Sequence, residues 1–132
     1  EIIVRAARGQ ELLLTSGRQT REFNFVADLV DGFVLAGTTP GIDGQVINLG
    51  GGEEIAIRDL ATMILDLMGN PVEPQLGALP DRPTEIWRMF CDGSRARELL
   101  GWKPVHTLAD GLERTIDWYR AELERDLSSF AV

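Results

Sequence analysis

Cysteine, histidine, tyrosine and lysine each occur once, as Cys91, His106, Tyr119 and Lys103. A lone cysteine allows no internal disulfide, and with a lone histidine it supplies no Cys/His metal cluster, which fits a reducing cytoplasm. No apolar run approaches the roughly 18 residues that a membrane span needs. The N-terminus also lacks the basic, apolar and small-residue order of a signal peptide. The expectation is a soluble cytoplasmic chain. It starts on Glu1 and not Met, inside what reads as a helix, so further sequence is expected before it.

Positive charge is scarce too. Twenty-one acids against 13 bases give a net charge of −8, the wrong sign for an extended nucleic-acid surface. A small anion needs only two or three arginines, and every base except Lys103 is arginine, which favours forked recognition. With 132 residues, 44% hydrophobic and 26% charged, the chain suits one ordinary globular domain with a real core.

Residues Glu1 to Arg8 carry apolar side chains at helical spacing, with Gly9 where a left-handed cap would sit. Leu12 to Thr15 reads as a short buried strand. Glu22 to Val26 alternates, with Phe23 and Phe25 on one face, and the two segments are expected to form a hairpin around Arg18 to Arg21. Asp28 is expected to cap a helix through about Gly37 whose buried stripe is Leu29, Val30, Phe33 and Val34; Gly32 within it implies close packing. After a Pro/Gly loop, Gln45 to Leu49 reads as a buried strand, so strand, helix and strand make a βαβ unit.

Glu53 to Met68 has the strongest helical period, through Ile57, Leu60, Ala61, Ile64, Leu65 and Met68, with Gly69 as its stop. A strand follows from Ile86 to Cys91. Asp92 caps a short helix, Ser94 to Leu100, ended by Gly101, and Thr107 with Asp110 resembles a capping box for a last helix. Leu108, Leu112, Ile116, Tyr119 and Leu123 form the inner face of that helix, and Ser128 to Val132 is expected to fray. No repeat, low-complexity run or long linker divides the chain.

The chemistry-bearing stretch is Asp81 to Asp92. Pro83 fixes its own φ and disfavours helix at Arg82, so the arginine stands on extended backbone with its fork pre-aimed, as suits a phosphate. Glu85, three residues on, is a carboxylate able to accept from a vicinal diol such as ribose. The plain alternative is a surface ion pair beside a turn. The Gly50-Gly51-Gly52 turn before a helix invites a phosphate-loop reading. It lacks the glycine fingerprint and the phosphate-loop lysine, however, and Glu53 and Glu54 would repel an anion, which favours a plain turn. Leu123 follows Tyr119 by four residues where a Tyr/Lys pair would need lysine. His106 has no legible Ser or Cys partner, Asp28 and Asp31 look like cap and helix surface, and Cys91 reads as a small buried hydrophobe. No complete acid/base set is present, and no catalytic or metal-binding residue is assigned.

Four motifs occur in order over about 100 residues. They are Gly17-x-Gln19-Thr20-Arg21-Glu22-Phe23-x-x-Val26-x-Asp28, Val46-Ile47-Asn48-Leu49-Gly50-x-Gly52-Glu53-Glu54-Ile55, Arg82-Pro83-Thr84-Glu85, and Arg97-x-Leu99-Leu100-Gly101-Trp102-x-Pro104. Together they resemble the C-terminal half of an extended short-chain dehydrogenase/reductase of the nucleotide-sugar epimerase and dehydratase family. The Arg-Pro-Thr-Glu form is most similar to the 4,6-dehydratase branch, with decarboxylases and epimerases as alternatives.

The resemblance implies an α/β fold truncated at its N-terminal side. Residues of about 21–50 would complete a Rossmann sheet as a partial NAD(P)-binding βαβ element. Residues of about 1–20 and 53–132 would form a small α+β substrate-binding subdomain with a C-terminal helix. It further implies that Arg21 and Arg82 contact the diphosphate of a nucleoside-diphosphate sugar, that Glu85 contacts the ribose, and that Leu12 to Leu14 lies along the base. NAD or NADP would be held by the family's earlier half, with its glycine fingerprint and Tyr-x-x-x-Lys pair, and not by this chain alone. The expected partners are the nucleotide sugar, that missing half and a second copy, with no nucleic acid and no membrane. The function implied is the nucleotide-sugar-binding part of an NAD(P)-dependent 4,6-dehydratase or epimerase, inactive by itself; the alternative is a stand-alone binding or interaction module of the same fold. Two positions depart from the family pattern: Ala27 where an acid is frequent, and Ala56 where a Ser or Thr helix cap is usual.

Overall fold

In the computed structural model, residues 1–129 are described, with side chains through Arg125. The elements are α1 (Ile2–Ala7), β1 (Leu12–Leu13), β2 (Thr20–Arg21), α2 (Val26–Thr38), β3 (Ile55–Ala56), α3 (Ile57–Leu67), β4 (Pro74–Gln75), β5 (Arg88–Met89), α4 (Ser94–Leu100) and α5 (Leu108–Ser129). The chain is mixed α/β, with small sheets. It divides into two compact units, one of residues 1–19, 56–85 and 112–132, the other of residues 20–55 and 86–111. Among the described residues no helix is long and apolar enough to cross a membrane.

In the first unit, α1 ends on Gly9 at φ 63°, the left-handed stop that its glycine allows. Leu12 and Leu65 are almost fully buried, and with Ala6 they form a core against which Ile2, Leu14, Met68 and Val72 pack. β1 pairs in parallel with β4, Leu12 opposite Pro74 and Leu13 opposite Gln75. α3 buries Leu60, Ala61, Ile64 and Leu65, the face that its period foretold, but it begins at Ile57 and not Glu53. Ala56 is its N-cap and offers no side-chain acceptor. Backbone carbonyls take over that role: Ile57 N–H donates to Gln19 O at 3.1 Å and Arg58 N–H to Gly17 O at 2.9 Å. That approach requires a glycine, because Gly17 has φ 64° and an added Cβ would stand 2.8 Å from the Arg58 Cβ.

The second unit holds a three-stranded sheet in the order β3-β2-β5, with β2 and β5 parallel, Thr20 opposite Arg88 and Arg21 opposite Met89. The expected hairpin is absent, since β1 pairs with β4 and β2 with β5. Residues 22–25 form no ladder either, so neither strand expected beside α2 is paired among the described residues. The 45–49 segment joins no ladder. A strand exists only through hydrogen bonds to a neighbour, and this segment has no strand partner among the described residues. β5 is likewise only two residues long where six were expected.

The core of this unit is Ala96, Leu100 and Trp102, with Leu29, Leu35, Ala36, Ile42, Ile47 and Leu49 packed around it. α4 ends at Gly101 in the left-handed region, after which Trp102 N–H donates back to Ala96 O at 3.1 Å. The expected stripe on α2 is half right. Leu29 packs inward, but Val30, Phe33 and Val34 are exposed, Phe33 at 69%, and so is Val26. Val46 is 75% exposed, and an open cleft of about 380 Å³ lined by Phe33, Ala36, Ile42, Ile47, Leu49 and Leu100 lies beside the same helix. Thus α2 carries two apolar faces, of which the second unit covers one.

α5 begins with the capping box expected: Asp110 N–H donates to Thr107 Oγ1 at 3.1 Å, and Thr107 N–H to Asp110 Oδ2 at 3.2 Å. Ile116 is buried on it, and Tyr119 stands edge-on to Trp118 with ring centroids 5.0 Å apart. Ser128 and Ser129 are helical, and the remainder of the expected frayed end, residues 130–132, lies outside the described residues.

Gly32 is tightly packed on α2, since an added Cβ would stand 2.6 Å from Leu49 Cδ1 and 3.1 Å from Trp102 Nε1. Gly32→Ala is expected to lower unfolding stability by about 1–3 kcal/mol despite alanine's better helix propensity, because overpacking outweighs that gain. Urea denaturation followed by tryptophan fluorescence measures it, and an unchanged midpoint would show that Leu49 yields at no cost.

Candidate functional site

The site residues expected from the sequence fall in both units, and each is described in its own. In the first unit, Leu14 follows β1 and packs against the Leu12 core. Its N–H donates to Gln75 O at 3.1 Å, and its carbonyl accepts from Leu79 N–H at 3.0 Å. Thr15 O accepts from Gly77 N–H at 3.0 Å. The 12–16 segment is thereby zipped to residues 74–79.

Arg82 and Glu85 are brought together as the two ends of one turn, closed by Glu85 N–H donating to Arg82 O at 3.1 Å. Pro83 occupies the second position of that turn, where its fixed φ is favoured. Arg82 is exposed and Glu85 half-buried. A guanidinium and a carboxylate carried at the two ends of one turn offer a forked donor and an acceptor, residue types able to hold an anion and an adjacent hydroxyl.

In the second unit, Arg21 lies on β2, half-buried, with Nη1 donating to Thr20 O and Ile86 O, each at 2.7 Å. Here it ties the backbone ahead of β5 to β2. Glu54 receives Thr20 Oγ1 at 2.5 Å and is forked by Arg88, which also lies over the Phe90 ring at 5.4 Å. The Arg88 hydrogen bonds, followed by that of Thr20, hold the Glu54 carboxyl below its usual range.

Gly50 to Gly52 does not form a phosphate loop. Glu22 Oε1 accepts Gly52 N–H at 3.0 Å and the Asn24 amide at 3.2 Å, while Oε2 accepts Cys91 N–H at 2.9 Å. The chain's own carboxylate thus occupies the place that an external anion would take. Burial pushes the Glu22 carboxyl up, but these donors and the Gly51 N–H bring it below the ordinary value. Burial, then the Glu22 charge, pushes the Cys91 thiol up, in keeping with an unreactive side chain. The residues present therefore do not fit a dinucleotide pyrophosphate at this turn.

Three pairings escaped the sequence reading. Asp28 is no cap: it is 1% exposed, with Oδ1 2.8 Å from His106 Nδ1 and Oδ2 accepting His106 N–H at 3.2 Å. Its backbone carbonyl accepts Trp102 Nε1–H at 2.8 Å, and the His106 ring packs against Phe25 with centroids 4.9 Å apart. The second pairing is Glu22 with the glycine turn. The third is Ser16, whose N–H and hydroxyl both donate to Asp81 Oδ1, at 3.0 and 2.9 Å. The only sequence signal for any of them was that Asp81 adjoins Arg82; the others join residues 30 to 78 positions apart.

The chain is similar to known proteins over most of its length. Residues 1–115 match the model of the family described as GDP-mannose 4,6 dehydratase. A UDP-glucose 4-epimerase of Mycolicibacterium smegmatis is 42% identical over 104 residues, covering 79% of this chain and 32% of the relative. The solved structure of an epimerase from Methanothermobacter thermautotrophicus superposes with a TM-score of 0.87 at 32% identity, over 97% of this chain and 38% of that one. A UDP-glucuronic acid 4-epimerase from Bacillus cereus, solved with UDP-glucuronic acid and NAD, gives 0.81 at 32% identity, over 91% and 38%. The fold is that of a region of the Rossmann-type NAD-dependent epimerases and dehydratases within the short-chain dehydrogenases/reductases. The chain belongs to the GDP-mannose 4,6-dehydratase family, and it spans about a third of the length of the relatives it matches.

Asp28 gives acid sensitivity a definite sign. Burial raises its carboxyl, but the His106 ring, then the His106 and Val105 N–H groups, pull it below the ordinary 3.8. A depressed folded pKa contributes stability that is fully present above the unfolded pKa and is lost as pH falls through the folded one. Between about pH 5 and pH 2 the melting temperature is expected to fall, and Asp28→Asn to flatten that fall while losing about 1.5–3 kcal/mol at neutral pH. Wild-type acid sensitivity in Asp28→Asn would reassign the effect to the other depressed carboxylates, Glu22, Glu54, Asp81 and Asp92.

Proposed function

We propose that the chain is the nucleotide-sugar-binding part of an NAD(P)-dependent 4,6-dehydratase or epimerase, with the hydride chemistry carried by residues outside it. The supporting observation is the turn that sets Arg82 and Glu85 on its two corners, in the same unit as the Leu14 segment. On this reading Arg82 donates its fork to the diphosphate, Glu85 accepts from the ribose hydroxyls, and the backbone at Leu14 lies along the base. Arg21, in the second unit, is assigned to diphosphate binding on the family motif at Thr20-Arg21-Glu22 alone.

NAD or NADP, when bound by the complete protein, supplies the hydride acceptor; this chain's residues hold the nucleotide and leave the sugar end to the remainder. The apolar face of α2 at Val26, Val30, Phe33 and Val34, together with the unladdered 45–49 segment, supports assigning about residues 21–50 to a Rossmann sheet completed by the preceding part of such a protein. The same exposed face argues against a self-sufficient module, which would bury it. The compartment proposed is the cytoplasm, and a homo-oligomer is proposed for the complete protein.

Calorimetric titration with uridine, thymidine and guanosine diphosphates tests the reading. Arg82→Ala is expected to cost on the order of 2–5 kcal/mol of affinity for the diphosphate that binds, because the charge-assisted fork leaves its phosphate unpaired. An Arg82→Ala affinity within about twofold of wild type, well under 1 kcal/mol, would remove Arg82 from the site.

A further inference from the structure

Arg82 and Glu85 act on a ligand only if their turn stands at a fixed place relative to Leu14. Backbone hydrogen bonds do not secure that place. The pairing of the 12–16 segment with residues 74–79 stops at Leu79, and Pro80 has no N–H with which to continue it. Beyond it, one side chain takes over. Asp81 Oδ1 accepts both the N–H and the hydroxyl of Ser16, so one carboxylate oxygen joins the residue before Arg82 to the segment that begins at Leu14. Pro80 and Pro83 restrict φ on either side of this clamp, leaving few ways for Arg82 to be placed once Asp81 is held.

We infer that Asp81 is a positioning residue for nucleoside-diphosphate recognition, setting the Arg82–Glu85 turn against the Leu14–Ser16 segment by its double hydrogen bond to Ser16. The inference rests on the proposed function, since it assumes that the turn and the Leu14 segment serve the same ligand. Asp81 touches no ligand in this scheme. Its carboxyl lies below the ordinary carboxylate range, first through the Ser16 hydroxyl and next through the Ser16 N–H, so it is the charged form that accepts both bonds at neutral pH.

The test compares wild type with Asp81→Ala, Asp81→Asn, Ser16→Ala and Arg82→Ala. Uridine diphosphate titration is the ligand readout, and amide hydrogen exchange is followed at Glu85, whose N–H closes the turn. Asp81→Ala is expected to weaken binding about tenfold, the scale of one hydrogen bond to a charged group, and to speed exchange at Glu85 more than at α3. Asp81→Asn keeps an acceptor oxygen and should recover both readouts in large part, while Ser16→Ala, which keeps the N–H, should lie between. The inference is overturned if Asp81→Ala binds within about twofold of wild type while Arg82→Ala does not, an outcome that leaves the proposed function standing. It is overturned equally if exchange quickens uniformly across α3 and the turn, which marks general loosening. A wild-type protein that binds neither this nucleotide nor the thymidine and guanosine diphosphates overturns the proposed function, and the role of Asp81 with it.

Discussion

Glu22 is a carboxylate ringed by donors, and its two oxygens decide where three separate stretches of the second unit meet. It receives the Gly52 N–H, the Cys91 N–H and the Asn24 amide. None of these stretches has a regular ladder partner there, so without Glu22 their backbone groups would need water or would stay unpaired. Asp28 does the same for the loop carrying His106, and Asp81 for the segment before Arg82. The design is consistent: strands of two residues cannot register long loops, so charged acceptors with several donors each do so. The net contribution of such a bond is modest, but removing the acceptor strands every donor around it.

Among the described residues each unit has a small hydrophobic cluster of its own. One rests on Leu12 and Leu65, the other on Trp102 and Leu100. The amphipathic helix α3 shows one apolar face, and it is covered. α2 shows two, and the uncovered one carries a phenylalanine and three valines. Soluble monomers rarely leave so large a contiguous apolar face in water. Next to it the 45–49 segment has strand composition without a ladder. The two features make sense together in a layered α/β protein, where a helix packs on a sheet whose other strands lie elsewhere in sequence. The chain spans about a third of the length of the relatives it matches.

The sequence was readable where local periodicity decides structure. The apolar spacing of α3, the glycine stops after α1 and α4, and the Thr107/Asp110 capping box all stand as expected. It misled where tertiary context decides. Asp28 sits just inside the start of an apolar run, which is how a cap looks in sequence, yet its partner His106 lies 78 residues away. The alternation at Glu22 to Val26 looks like a strand, but Glu22 is diverted to the glycine turn and Phe25 to His106, so neither side chain is placed by a ladder. The candidate site divides in the same way. Arg82 and Glu85 were legible as neighbouring groups around Pro83, but the turn that joins them was not, and the Asp81 clamp depends on Ser16, 65 residues distant.

An acidic chain holding a diphosphate sounds contradictory at a net charge of −8. Charge matters by distance, however, and at physiological ionic strength exposed charges are screened over about 8 Å. Many of the acids also have internal donors: Glu22, Asp28, Glu54, Asp81 and Asp92 are each held below their ordinary carboxylate values, by backbone N–H groups, hydroxyls, a ring or a guanidinium. Those carboxylates stay ionised at neutral pH, with their oxygens engaged by donors of the chain itself. A few placed arginine forks then govern the field that a small anion meets, and a fork suits a diphosphate better than a diffuse basic surface does, because its donors match two oxygens at once. Within the chain the clearest use of negative charge is to fix loops, since Glu22, Asp28 and Asp81 each hold segments that no long strand registers.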